Sequence, residues 1–102
     1  MNPHQLTFRL SRLDAEECPR GVPADVWALF VCEADKVRLS GRTHYSARTI
    51  CEHLRHNAFI ENPGREFVIN NNWIPDMARA FMRMRGCYRF FAIRDGDTKR
   101  AA

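Results

Sequence analysis

Apolar residues along the chain recur at two different periods. From Gln5 to Ser11 they alternate, Leu6, Phe8 and Leu10 against Thr7, Arg9 and Ser11, which predicts a strand with one buried face. Leu13 through Cys18 is short and acidic, with room for one helical turn before Pro19-Arg20-Gly21 breaks it. From Pro23 the spacing changes to threes and fours. Val26, Phe30, Ala34 and Val37, widened by Trp27 and Leu29, form the stripe of a helix over 23–40. Pro23 loses no hydrogen bond at a helix start, and Asp25 suits the positive end of the dipole. Lys36 and Arg38 suit the negative end, and Gly41 supplies a left-handed cap.

Ser46 is a good N-cap for a second helix over 47–58. Ala47, Ile50, Cys51, Leu54 and Ala58 face inward; Arg48, Glu52 and Arg55 face outward, with His56 at the edge. Arg48 and Glu52 are spaced to pair at i,i+4, whereas Arg55 has no acidic neighbour at that spacing. Phe59-Ile60-Glu61 and Glu66-Phe67-Val68-Ile69 flank Asn62-Pro63-Gly64-Arg65, whose Pro-Gly pair fits a type II turn. That predicts a β-hairpin with Arg65 near its tip. The three asparagines at 70–72 either build a turn through their own main chain or read an adenine edge.

Pro75 opens a third helix over 75–85, with Asp76 in its first turn and Gly86 at its end. Met77, Ala78, Phe81 and Met84 or Arg85 trace its inner stripe, and Arg79 and Arg83 lie one turn apart outside. Tyr88 to Ile93 reads as a last strand, with Phe90 and Phe91 on opposite faces. The order strand, helix, helix, hairpin, helix, strand predicts an α+β fold. We expect one small domain, 1–102, of three helices and a β-hairpin, winged-helix-like, with its core at about 22–94 and a frayed tail over 95–102.

At 102 residues, 45% hydrophobic and 27% charged, the chain has the composition of an ordinary globular domain. It lacks both a run of ~18 apolar residues and a signal-like N-terminus, so a cytoplasmic protein without membrane contact is expected. Charge is uneven. Residues 1–41 carry five basic and six acidic side chains, and residues 42–102 carry eleven and six. Fourteen of the sixteen basic residues are Arg, whose planar fork suits phosphate and guanine edges; an arginine-rich genome would produce the same skew. A basic half points to a polyanionic partner, either nucleic acid or an acidic protein surface.

Cys18, Cys32, Cys51 and Cys87 include no C-x-x-C pair. In Cys51-x-His53-x-x-His56 the cysteine lies about 200° around a helix from His53, so no metal site and no cofactor are expected. His44, His53 and His56 have no nucleophile or carboxylate in a catalytic spacing, and no enzyme is expected.

Three blocks carry a resemblance: His44-Tyr45-Ser46-Ala47-Arg48-x-Ile50, Phe67-x-Ile69-Asn70-Asn71-Asn72-x-x-Pro75-x-x-Ala78-Arg79-x-Phe81-Met82, and Phe90-Phe91-x-x-Arg94. Over roughly residues 26–94 the chain resembles a group of small uncharacterised phage and prophage proteins. The resemblance implies a phage setting, where small single-domain proteins mostly regulate DNA transactions or disable host machinery, CRISPR effectors included. It supplies no activity.

Two functions follow. The first is a non-enzymatic DNA-binding regulator of winged-helix type, with Arg48, Arg55, Arg65, Arg79 and Arg83 on phosphate or base. The second is an anti-CRISPR-like inhibitor that binds a host protein complex, with Tyr45 and Trp73 as aromatic anchors and arginines at the rim. A homodimer through Phe91, Ile93 or the Leu6/Phe8/Leu10 run is open.

Overall fold

Four α-helices, arranged in sequence, build the fold. They are α1 (Arg12–Glu16), α2 (Ala24–Leu39), α3 (Ala47–Glu61) and α4 (Trp73–Arg85). The computed structural model describes residues 10–61 and 68–92. Among those residues there is no sheet; the only β-type pairing is an isolated parallel bridge between Tyr45 and Phe91. The α+β, winged-helix-like expectation is therefore wrong. The hairpin's first arm, 59–61, is the last turn of α3. Three residues cannot reveal a period, and a helix already running from Ala47 extends at far lower cost than a new element nucleates. Of the rest of that expected hairpin, 62–67 with Arg65 lie outside the described residues and 68–69 form no strand; residues 1–9, which include most of the first expected strand (5–11), and 93–102 also lie outside them.

Several helix ends lie where residue chemistry foretells them. Ser46 Oγ accepts the Thr49 N–H at 3.1 Å and caps α3. Gly41 and Gly86 both adopt positive φ, 102° and 69°. Gly86 completes a Schellman-type end, with the Cys87 N–H donating to Met82 O at 3.0 Å. Ser11 Oγ accepts the Asp14 N–H at 3.1 Å and starts α1, where the alternating pattern suggested strand. Helix α4 begins two residues before Pro75, which falls within the first turn, where its missing N–H has no partner to lose.

The core lies between α2, α3 and α4. Val26, Trp27, Phe30, Val31 and Ala34 of α2 meet Ile50, Cys51 and Leu54 of α3 and Met77, Ala78, Phe81 and Met82 of α4, all buried. Phe90 and Phe91 do not face opposite ways. Both are buried, their rings are 4.7 Å apart, and both pack on Phe81 at 6.0 and 5.7 Å. Turning the chain after Gly86 lets two consecutive rings bury in one aromatic cluster, which an extended strand forbids. Burial also removes Phe91 from any dimer edge.

A polar clamp fastens α1 to this core. The Arg85 guanidinium grips Asp14 at 2.8 and 3.0 Å and Asp35 at 2.6 and 3.0 Å, joining α1, α2 and α4. Trp27 Nε1 donates to the Asp14 carbonyl at 2.8 Å, and Arg83 lies 3.7 Å from Glu17. The Arg85 contacts hold the Asp14 carboxyl below its ordinary value of 3.8, and the two carboxylates raise Arg85. No helix among the described residues is long and apolar enough to cross a membrane.

Candidate functional site

Of the five arginines singled out by sequence, only Arg48 is exposed and unengaged by other described residues. Arg55, which lacked a helical partner, finds one elsewhere. Its Nη2 donates to the Ile69 carbonyl and, at 2.8 Å, to Asn71 Oδ1, tying α3 to the loop before α4. Arg79 pairs with Asp76 at 3.5 Å and Arg83 with Glu17 at 3.7 Å. Arg65 lies outside the described residues.

The asparagines have structural duties. Asn70 Oδ1 accepts the Asn72 N–H at 2.8 Å, and the Asn70 carbonyl accepts the Trp73 N–H at 2.9 Å. This is an Asx-type turn leading into the helix, with Asn71 occupied by Arg55. Trp73 is half-buried against the core, which leaves little of it for a partner.

A different set of arginines is exposed and makes no ion pair or hydrogen bond with any other described residue: Arg20, Arg42, Arg48 and Arg89. Three of these four flank a single contact between two segments. The Tyr45 N–H donates to the Phe90 carbonyl at 2.9 Å, which locks 42–48 beside 88–91. Arg42, Arg48 and Arg89 are each at most three residues from that bridge, within roughly 11 Å of extended chain. The Arg42 guanidinium lies over the half-buried Tyr45 ring, 5.7 Å from its centroid, and Tyr88, next to Arg89 in the chain, is 70% exposed. Arg42 and Arg89 were not legible as site residues, because the contact that joins their segments is between residues 45 positions apart.

Electrostatics marks Arg48 further. Helices α1, α2 and α4 each carry an acid in the first turn: Asp14, Asp25 and Asp76. Helix α3 carries none, and places Arg48 at its second position, against the positive end of its dipole. That placement costs about 0.3–1 kcal/mol. Glu52, one turn on, makes no ion pair with it, so the expected i,i+4 compensation is not formed. The cost gains no contact within the described fold.

Cysteine and histidine contribute no second site. Cys51 is fully buried whereas His53 and His56 are exposed, so the three do not converge, and no metal-holding group of His, Cys, Asp or Glu occurs among the described residues. Burial pushes the Cys51 thiol up to about 11 and also raises Cys18, Cys32 and Cys87. Thiols held protonated in this way are poor nucleophiles at neutral pH. No family model, curated protein or solved structure matches the chain.

Proposed function

We propose that this protein is a small, non-enzymatic nucleic-acid-binding regulator, and that Arg42, Arg48 and Arg89 form its contact surface. The observation that carries this is the cost of Arg48: an exposed cation at the positive end of α3, unpaired with any described residue, with two more exposed arginines on the segments joined at Tyr45 and Phe90. Guanidiniums kept apart from carboxylates are available to phosphate oxygens, where they form bidentate, charge-assisted bonds. Tyr45 and Tyr88 add ring faces among them. The phage or prophage setting that the sequence resemblance implies belongs to the same proposal.

The small size of the patch favours one further reading. Three arginines are few for a duplex binder, and exposed Tyr beside Arg is also the composition of a protein hot spot. A phage-encoded inhibitor that seats this patch on an acidic host protein would use the same side chains.

Arg48→Gln separates function from fold. A gel-shift series at about 50 and 200 mM salt should show weaker binding of a labelled oligonucleotide by the variant and a steep loss with salt for the parent. The melting temperature should stay level or rise slightly, because an unfavourable charge has left the helix start. If the parent binds no nucleic acid at the lower salt, the nucleic-acid reading fails and the acidic-protein reading takes its place.

A further inference from the structure

We infer that the Arg42/Arg48/Arg89 patch takes single-stranded rather than duplex nucleic acid, a step that rests on the nucleic-acid reading above. Reading a duplex calls for several side chains along one helix face, entering the major groove together. Among the described residues, the exposed arginines without an ion pair do not share one helix face. The three arginines come from the loop before α3, the first turn of α3 and the turn after α4. Along the outward side of α3, Arg48 is followed by Glu52 and exposed His56, and Arg55 is occupied by Ile69 and Asn71. A helix laid into a groove there would bring the Glu52 carboxylate among the phosphates.

The aromatic groups point the same way. Tyr88 leaves 70% of its surface in water, next in the chain to the exposed Arg89 and two residues before the buried Phe90. Tyr45 is already stacked beneath the Arg42 guanidinium. Tyr88 offers a free ring face on which an unpaired base stacks, while the arginines hold the backbone. Bases inside a duplex offer no face to such a ring.

The test compares a labelled single-stranded 12-mer of mixed sequence with its own duplex by fluorescence anisotropy at low salt. The single strand should bind at least about tenfold tighter. Tyr88→Ala should weaken the single strand by about five- to a hundredfold, the range a base–aromatic stack carries, and leave the duplex nearly unchanged. Because Tyr88 is exposed, its removal should leave the melting curve in place, which a circular-dichroism melt checks. Equal or tighter duplex binding, or an equal loss for both substrates in Tyr88→Ala, overturns the single-strand assignment and spares the nucleic-acid reading. Absence of binding to either substrate overturns both.

Discussion

Replacing Arg85 with Met keeps the length of the side chain and removes its charge, and should be among the most damaging single changes outside the apolar core. The guanidinium makes four bonds of 2.6–3.0 Å to Asp14 and Asp35. The two carboxylates retain only 14% and 23% of their side-chain exposure. Without Arg85, Asp14 would lose its cation and Asp35 would keep only Arg38, at 3.4 Å, with both carboxylates poorly hydrated. Breaking a buried ion pair from one side costs about 3–5 kcal/mol; with Arg85 itself 21% exposed, water entry reduces this to about 2–4 kcal/mol. A domain of this size has only about 5–15 kcal/mol of stability, so Tm should fall by about 10–25 °C. Urea titration followed by circular dichroism gives the difference directly.

The sign with pH is specific. In the parent, Asp14 is held below 3.8, so its stabilisation is present above that pH and is lost as pH falls through the folded value. In Arg85→Met the same carboxylates gain from protonation, so the gap between the two proteins should narrow on acidification. Adding Asp14→Asn and Asp35→Asn should recover much of the loss at neutral pH. A penalty under about 1 kcal/mol, or one that is independent of pH and of the asparagines, would refute the clamp.

Two further outcomes follow from the geometry. Cys51 is raised to about 11 in the fold against 9.0 for the ordinary thiol, so stability should drop as pH rises from about 9 towards 11, by about 2–3 kcal/mol; Cys51→Ala or Cys51→Ser should abolish most of that drop in alkaline denaturation curves. Arg55→Gln should loosen the asparagine turn, costing about 1–2 kcal/mol in urea titration, and leave nucleic-acid affinity almost unchanged, because its guanidinium serves Ile69 and Asn71.

The helices were legible in the sequence because their signals are local. Proline and Ser46 at the starts, Gly41 and Gly86 at the ends, and spacings of three and four along Val26–Ala34 and Ala47–Leu54 each act within one or two turns. Strand and helix were confused where runs were too short to have a period, as at Phe59–Glu61, or where consecutive rings bury together, as at Phe90-Phe91. The site was less legible. Arg55 lacked a partner four residues away and so looked available, but its partners are fourteen and sixteen residues on. Arg42 and Arg89 were not legible, since the Tyr45–Phe90 hydrogen bond that joins their segments is a long-range contact.

The slope of log affinity against log salt for a single-stranded oligonucleotide tests the central claim most directly. Three phosphate contacts predict a slope near −2 for the parent, since each contributes roughly 0.7 on a single strand. Arg48→Gln with Arg89→Gln should bring it to about −0.7, and the matched loss of two charges in Arg79→Gln with Arg83→Gln should leave it near −2. Equal slopes for the two double variants would mean that net charge, and not the patch around Tyr45 and Phe91, governs binding.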